Sequence, residues 1–278
     1  MKIGIIGLGL IGGSLAKSIK LHSPHTVWGF DIDPDVVSKA LMCDAIDEEL
    51  SEAMLPQCDI VLVALYPERC VKYIESHADR FAPNAIVIDC AGVKRSVYGP
   101  VSKIAAQHPW TYIGGHPMAG REFSGFGYAI GDLFERASMI LTPMPDIAVE
   151  MLEAVKAFFL EVGFKSVRIT TPDEHDSMIS YTSQLAHIVS GAYVKNPLSS
   201  HHKGFSAGSF LDMTRVARLN EDMWTELFFD NRDALLPEME GLVQRLTAYR
   251  DALEQNDREG MRTLLREGRE VKERLEEG

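Results

Sequence analysis

Short apolar runs alternate with amphipathic segments along residues 1–170 of the chain. The runs have the length of buried strands, and the segments between them carry apolar residues at helical spacing. This alternation predicts an α/β domain with a doubly wound, mainly parallel sheet. The predicted strands cover residues 2–6, 26–31, 60–65, 85–89, 112–115, 138–142 and 166–169, and the predicted helices begin near residues 12, 33, 69, 97 and 148.

The pattern changes after Pro172. From there the chain shows no strand pattern, so we expect an all-α domain over residues 171–278 behind an α/β domain over residues 1–170. The predicted helices cover residues 173–195, 211–218, 221–252 and 258–277. One helical stripe fits core packing and the seam of a dimer equally well. It consists of Met239, Leu242, Val243, Leu246, Tyr249 and Leu253.

Composition narrows the possible functions. The 278 residues carry a formal net charge of −12, which argues against nucleic acid as a partner because phosphate binding needs clustered Lys and Arg. No apolar stretch is long enough to cross a bilayer. The 4 cysteines include no CxxC pair and no zinc spacing, which predicts no metal site and a reducing, cytoplasmic location. In so acidic a protein, an anionic substrate would need its own cationic pocket.

A GxGxxG motif lies between the first predicted strand and helix, with its glycines at Gly7, Gly9 and Gly12. The first glycine makes the tight turn, the second admits the pyrophosphate, and the third lets helix and strand pack closely. Leu10 and Ile11 stand at the helix N-terminus, where backbone N–H groups and the helix dipole favour an anion. The context predicts a Rossmann-type dinucleotide-binding domain.

Asp31 ends the second predicted strand. At this position a carboxylate accepts hydrogen bonds from the adenosine ribose hydroxyls and repels a 2′-phosphate. The sequence therefore predicts NAD rather than NADP as the cofactor. The alternative is that Asp31 only caps a helix or lies on the surface.

Two loops with chemically active residues follow predicted strands at the carboxyl edge of the sheet, where open α/β sheets bind ligands. One covers residues 89–94 and includes Gly92, and the other covers residues 114–122 and includes His116. A dehydrogenase that oxidises an alcohol needs a base for the hydroxyl proton, and histidine has a suitable pKa near neutrality. We therefore predict that His116 is the base, although a single histidine can also be structural.

The helical part carries three further polar clusters, over residues 173–176, 183–187 and 208–215. Arg215 suits bidentate recognition of a substrate carboxylate. Its spacing from Asp212 allows an ion pair on one helix equally well.

Taken together, these motifs resemble the prephenate/arogenate dehydrogenase family of tyrosine biosynthesis, along nearly the whole chain. The matching segments are GLGLIGGS at residues 7–14, the loop at 89–94, GGHPMAGRE at 114–122, SQLAH at 183–187, GSFLDMTRVA at 208–217 and Met223-Trp224. The order of the HPMAG and DMTR motifs is specific, whereas the glycine motif alone is not.

The resemblance implies a Rossmann-type domain followed by a helical dimerisation domain, and therefore a homodimer. It implies NAD-dependent oxidative decarboxylation of a small cyclohexadienol acid. By position, His116 matches the histidine that hydrogen-bonds the C4 hydroxyl, Arg215 matches an arginine that binds a substrate carboxylate, and His187 matches a partner of the side-chain carboxylate. The remaining pocket positions are Glu122, Gly208, Asp212 and Trp224.

Two residues depart from the family pattern. Gly92 stands where many relatives carry a serine that helps to orient the catalytic histidine. A water or another group then orients His116, or the rate is lower. Arg121 stands where some relatives have threonine, and it either helps to bind a diacid or faces solvent.

The resemblance implies prephenate as the substrate, and the sequence leaves three alternatives to that activity open. Arogenate shares both carboxylates with prephenate, so arogenate dehydrogenase is the nearest one. A 3-hydroxyacid dehydrogenase or imine reductase also joins a Rossmann domain to helices, but it relies on a lysine early in the helical domain. Only Lys195 is available there, and it is poorly placed. A nucleotide-sensing module without turnover is the third, and Gly92 is its best support.

Overall fold

The computed structural model describes residues 1–121 and 123–277. Its centre is an eight-stranded sheet in the order β3-β2-β1-β4-β5-β6-β7-β8. The strands are β1 (Lys2–Ile6), β2 (Thr26–Phe30), β3 (Glu48–Glu49), β4 (Ile60–Val63), β5 (Ile86–Asp89), β6 (Thr111–Pro117), β7 (Ser138–Pro143) and β8 (Ser166–Ile169). β3 was not predicted, because it has only two residues and both are charged and exposed.

All strand pairs are parallel except β6 with β7. The connection between those two strands contains only a single 3₁₀ turn, Phe126–Tyr128, among the described residues, and no crossover helix returns the chain to the start of the sheet. The antiparallel pairing pairs His116 with Ile140 and Pro117 with Met139. His116 therefore lies within a strand, and the prediction that the strand ends at residue 115 is wrong.

Helices cover both faces of the sheet. They are α1 (Leu10–His22), α2 (Pro34–Met42), α3 (Pro67–His77), α4 (Arg95–Ala105) and α5 (Val149–Glu161). Apolar residues of α1, α2 and α5 share one buried cluster with alternate strand residues, and those of α3 and α4 share a second cluster with the others. Ile5 belongs to the first cluster and Ile6 to the second. The doubly wound, mainly parallel fold is confirmed.

Local sequence sets where the helices begin. The Asp33 side chain accepts a hydrogen bond from the Asp35 N–H at 2.9 Å, and Pro34 occupies the first turn of α2. Thr171 caps the helix α6 in the same way, ahead of Pro172. Each of these two helices begins with a side-chain oxygen that caps it and a proline in the first turn. Proline is tolerated there because an N–H group in the first turn has no hydrogen-bond partner within the helix.

Beyond the sheet the described chain is helical. The elements are α6 (Pro172–Ile179), a π-helical turn (Ser180–Leu185), α7 (Ala186–Val194), α8 (Gly208–Thr214), α9 (Glu221–Asp230), α10 (Arg232–Glu254) and α11 (Arg258–Glu277). The prediction of one unbroken helix over residues 221–252 is wrong. The chain leaves helical geometry at Asn231, whose buried side chain donates to the Asp176 carbonyl and to Gln184.

Two compact units are present. The first runs from Met1 to Asn231, and the second begins at Arg232 and contains α10 and α11. Within the second unit these helices pack on each other, and the Tyr249 hydroxyl donates to the Leu264 carbonyl at 3.3 Å. None of the described helices is both long and apolar enough to span a bilayer.

Candidate active site

The glycine turn after β1 is closely packed at two of its glycines and open to a ligand at the third. Gly7 has a φ of +85°, and a Cβ there would lie 2.7 Å from the Ala64 carbonyl oxygen. A Cβ at Gly12 would overlap the Gly7 carbonyl, whereas a Cβ at Gly9 would meet nothing within 4 Å. Gly7 and Gly12 are thus required by the fold, and Gly9 faces open space.

The N-terminus of α1 opens onto that space with Leu10 and Ile11 in its first turn. Asp31 follows β2 beside the turn. Its carboxylate accepts hydrogen bonds from the Leu8 N–H at 2.8 Å and from the Asp33 N–H at 3.0 Å. Each carboxylate oxygen retains a lone pair for a further donor. An open glycine, a helix N-terminus and a carboxylate at this spacing fit a dinucleotide with free ribose hydroxyls.

A buried ion pair lies next to the carboxyl ends of β5 and β6, between the last residue of β5 and the loop that follows it. The Lys94 ammonium contacts the Asp89 carboxylate, and both side chains are fully buried. Lys94 also donates to the Gly115 carbonyl at 2.5 Å, and the Tyr112 hydroxyl donates to Asp89 at 2.7 Å. A buried charge pair with these added hydrogen bonds fixes the loop at residues 89–94 against the strand that carries His116.

His116 is partly exposed at the carboxyl end of β6. Its Nδ1 lies 2.8 Å from Nε2 of His175, whose Nδ1 lies 2.7 Å from Oδ1 of Asp176. Burial holds the pKa of His116 well below its ordinary value, electrostatic effects of the neighbouring His175 and Lys94 act in the same direction, and Asp176 opposes them. The imidazole is therefore neutral at neutral pH, as a general base requires.

Asp176 is the fixed end of this chain of side chains. Burial raises its pKa, but hydrogen bonds from His175 and from the Arg95 and Lys94 N–H groups outweigh that effect, and the pKa is lowered overall. Those backbone donors lie 2.9 Å and 2.7 Å from the carboxylate. Asn231 bridges the group by accepting from Arg95 at 2.8 Å and donating to the Asp176 carbonyl.

Gly92 lies beside the free side of the imidazole. A Cβ at this position would stand 3.9 Å from Nε2 of His116 and 3.4 Å from the Leu227 side chain. Nε2 therefore faces the loop at residues 89–94 near the carboxyl edge of the sheet. A Cβ at Gly92 would make only ordinary van der Waals contacts, so the position next to the nitrogen that would act as base is not tightly packed.

A second group of predicted residues meets on α7 and α9. The rings of His187 and Trp224 have centroids 4.1 Å apart. Nδ1 of His187 lies 2.8 Å from the Ser183 carbonyl oxygen, which the π-helical turn presents. Burial lowers the pKa of His187, the Ser183 hydrogen bond opposes this, and the charge of Arg215 adds to the lowering. Arg215 thus lies near His187 and makes this group a cationic region, while the lowered pKa leaves His187 itself neutral at neutral pH.

Helix α9 connects the two groups. It carries Trp224 against His187 and, one turn further on, Leu227 next to the Gly92 position. The Leu227 carbonyl also accepts a hydrogen bond from Gln184 at 2.8 Å. Residues three apart on a helix share a face. The base and the cationic region therefore lie along the same face of α9.

Other predicted residues are placed less closely. Gly208 and Asp212 lie on α8 with exposed side-chain positions, and Arg215 begins the following 3₁₀ turn, which packs against α7. Arg121 is exposed and donates to the Tyr128 carbonyl at 3.2 Å, so its guanidinium binds its own loop. Glu122 lies outside the described residues.

His175, Asp176 and Asn231 belong to the site but received no role from sequence reasoning. The adjacent His175 and Asp176 were visible as part of a polar cluster at the start of a predicted helix. Their link to His116 spans 59 positions, which no local pattern reveals. Among residues 1–121 and 123–277, no group of three or more His, Cys, Asp or Glu side chains could hold a metal ion.

A dinucleotide-type glycine turn and a neutral histidine at the carboxyl edge of the same sheet define a nucleotide-dependent dehydrogenase. Two family models match the chain: prephenate dehydrogenase, nucleotide-binding domain, over residues 15–168, and prephenate dehydrogenase, dimerization domain, over residues 171–267. The chain belongs to the prephenate dehydrogenase family.

Individual members of the family are similar to this chain along most of its length. Prephenate dehydrogenase of Bacillus subtilis is 30% identical over 266 residues, which cover 92% of this chain and 71% of that protein. The structure of Aquifex aeolicus prephenate dehydrogenase with hydroxyphenyl propionate and NAD+ has a TM-score of 0.87 at 27% identity, covering 99% of this chain and 98% of that one. Synechocystis arogenate dehydrogenase has a TM-score of 0.82 at 26% identity, covering 99% and 100%.

Proposed function

We propose that the chain is an NAD-dependent prephenate dehydrogenase that converts prephenate to 4-hydroxyphenylpyruvate in tyrosine biosynthesis. One observation carries the proposal: the neutral imidazole of His116 stands at the carboxyl edge of the sheet with Nε2 beside Gly92, 3.9 Å from the position that a Cβ would take there. Family membership and similarity to the Bacillus subtilis enzyme supply the reaction class.

The cofactor site consists of the glycine turn and the carboxylate beside it. The open face of Gly9 and the N–H groups at Leu10 and Ile11 would hold the pyrophosphate, and Asp31 would accept the ribose hydroxyls. Gly92 would lie beside the nicotinamide end. Bound NAD supplies the hydride acceptor.

His116 accepts the proton of the C4 hydroxyl at Nε2 as the hydroxyl carbon is oxidised. The O–H bond breaks and an N–H bond forms on the imidazole. The ring carboxylate leaves as CO₂, its bonding electrons complete the aromatic ring, and the imidazolium returns its proton to the C4 oxygen, which gives the phenol. The loss of CO₂ makes the reaction effectively irreversible.

Substrate recognition falls to the cationic region on α7, α8 and α9. Arg215 would bind the ring carboxylate, and His187, stacked on Trp224, would bind the side-chain carboxylate. Gly208 and Asp212 complete the proposed pocket, and Glu122, which lies outside the described residues, is assigned to it on its position in the sequence. Arg121 is assigned to the pocket mouth on its position in the sequence alone, because its guanidinium binds Tyr128 in the structure.

Arogenate is the second candidate substrate, because the Synechocystis arogenate dehydrogenase has the same fold along the full chain. An ammonium on the substrate side chain would be repelled by the positive charge of Arg215 beside His187, whereas the uncharged ketone of prephenate would not be repelled.

Steady-state kinetics with both substrates and both NAD and NADP test the proposal. Higher kcat/KM with arogenate would reverse the substrate assignment, and nucleotide binding without turnover of either would reduce the chain to a nucleotide-binding module.

Replacing Asp31 by serine is expected to shift the cofactor preference from NAD toward NADP. The carboxylate beside the Leu8 N–H repels a 2′-phosphate, and serine removes that charge while keeping a hydroxyl. The ratio of kcat/KM for the two cofactors measures the effect. Asp33→Ser is the matched control, because Asp33 caps α2. An unchanged ratio in Asp31→Ser would remove Asp31 from the ribose site.

We also propose that residues 171–278 form a helical domain, that the protein is a homodimer through this domain, and that its location is cytoplasmic. The apolar stripe of α10 supports the dimer, since Val243 is 61% and Leu246 58% exposed. Light scattering is expected to give twice the chain mass, and Val243→Glu with Leu246→Glu is expected to give the monomer. Met42→Glu, at an exposed residue of α2, should leave the dimer intact. A dimer that survives the double change would place the interface elsewhere.

A further inference from the structure

We propose that His175 and Asp176 are positioning residues that hold His116 in the tautomer with an unprotonated Nε2. The inference deepens the proposed function, because it takes His116 as the base of that reaction. It explains which of the two ring nitrogens can accept a proton. It also assigns a role to the two buried side chains that sequence reasoning left without one.

The argument starts at Asp176, which is fully buried and surrounded by donors. Its carboxylate receives the N–H groups of Lys94 and Arg95 and Nε of Arg95 at 2.7, 2.9 and 3.2 Å. An ionised carboxylate has no hydrogen to give, so every partner of it must be a donor. His175, with Nδ1 at 2.7 Å from Oδ1, must therefore carry its proton on Nδ1.

The next step concerns the other nitrogen of His175. Burial lowers the pKa of His175 despite its hydrogen bond to Asp176, and Lys94 adds to the lowering. The charged groups that face the histidine pair are Lys94, Arg95, Asp89 and Asp176. A neutral His175 with its proton on Nδ1 has a lone pair on Nε2. Nδ1 of His116, 2.8 Å away, must then donate to it.

These hydrogen bonds fix which nitrogen of the His116 imidazole carries the proton. With its single proton on Nδ1, the imidazole presents a lone pair at Nε2, the atom that faces Gly92. When Nε2 takes the substrate proton, Nδ1 keeps its hydrogen bond to His175. The negative charge of Asp176 then lies two hydrogen bonds from the new cation and stabilises it without accepting a proton, as in hydrolase triads.

The support of this chain is rigid. Asp176 is fixed by the first residues of α4, and its carbonyl accepts from Asn231, which is itself held by Gln184 at 2.8 Å. His175 has 1% of its surface exposed and Asn231 has none. The position that many relatives fill with a serine is Gly92 here, so in this chain the orientation of His116 comes from the opposite side of the ring.

The first test needs no substrate. Protein labelled with ¹⁵N-histidine is examined by NMR at neutral pH, with and without NAD, and the signal of His116 among the 9 histidines is identified by its loss in His116→Asn. We expect both His116 and His175 to show protonated Nδ1 and unprotonated Nε2. A proton on Nε2 of His116 would overturn the inference while leaving open whether the chain turns over prephenate.

The second test compares two substitutions of His175. His175→Gln keeps an oxygen or nitrogen near the position of Nε2 and can accept from His116, whereas His175→Met fills the volume without an acceptor. We expect kcat to fall roughly 10²-fold in His175→Met, with KM and the Kd for NAD unchanged, and to stay within about tenfold of the wild type in His175→Gln. Melting temperatures verify that both variants are folded.

Equal losses in the two variants would show that a hydrogen-bond acceptor at this position is not what His116 requires from His175. Normal turnover in His175→Met would show that His116 needs no positioning partner. Both results leave the proposed reaction intact. Normal turnover in His116→Asn, by contrast, would overturn the assignment of the base and the inference that depends on it.

Discussion

Replacing His116 by asparagine is expected to lower kcat by about 10²–10⁴-fold, the usual contribution of a general base. Asparagine preserves a donor toward His175 but has no basic nitrogen beside Gly92. The affinity for NAD should not change, because the proposed cofactor contacts lie on the glycine turn and Asp31. Single-turnover formation of NADH measures the chemical step directly.

The control for this substitution is His108→Asn. His108 is partly buried, and its Nδ1 lies 2.8 Å from the Ile104 carbonyl, so the change removes an imidazole from the same domain and leaves the site alone. Turnover should stay near the wild-type value. If His116→Asn retains normal turnover, another group takes the hydroxyl proton.

The pH dependence of the wild type follows from the same residue. Burial places the pKa of His116 well below its ordinary 6.5, so the base form predominates throughout the neutral range. We expect kcat/KM to be independent of this group down to about pH 6.5 and to fall as the pH drops through the lowered pKa. An acid limb centred above pH 6.5 that disappears in His116→Asn would contradict the description of the imidazole as buried and neutral.

The second large effect is expected for Arg215→Ala, which should raise KM with little change in kcat. Loss of one partner of a charge pair costs roughly 2–5 kcal/mol when the pair is buried. Because Arg215 is exposed, we expect the lower end, about 2 kcal/mol or roughly 30-fold in KM. Arg215→Lys should give an intermediate KM, since the charge remains but the planar fork is lost.

Lys156→Ala controls for the overall charge. Lys156 lies on α5 and pairs with Glu153 at 2.8 Å, so its loss makes the protein equally more acidic without changing the cationic region. Its KM should equal that of the wild type. An unchanged KM in Arg215→Ala would refute the carboxylate-binding role, and equal increases in both variants would indicate long-range attraction of the anion instead.

Much of the proposed cofactor site could be predicted because its determinants are local. A glycine turn, a helix start and an acid at the end of the next strand follow from short-range sterics and hydrogen bonding, and in the structure Gly7 and Gly12 form a tight turn before α1 and Asp31 follows β2. The capping of α2 by Asp33 is equally local. The sequence pattern also predicted the doubly wound sheet correctly.

The remainder of the site depends on contacts between distant segments. The His116–His175 contact forms only when α6 packs beside β6, and the break at Asn231 arises from side-chain bonds to Asp176 and Gln184. Helical periodicity continues through residue 231 and gives no sign of that break. Arg121 shows the same limit, because its sequence neighbours did not reveal that it would bind the Tyr128 carbonyl.

Because β7 pairs antiparallel with β6, the position of the proposed base on β6 is fixed by neighbouring strands and helices and not by the connection that follows β6. His116 is held by a ladder partner, Ile140, and by its side-chain bond to His175, so its place does not depend on residues 118–137. Phe126 and Phe134 of that connection belong to the buried core, whereas Arg121 is exposed, so substitutions at its exposed positions can change the surface near the site while the proposed proton acceptor stays where it is. The strand that carries the proposed base and the exposed part of the connection after it can therefore vary independently of each other.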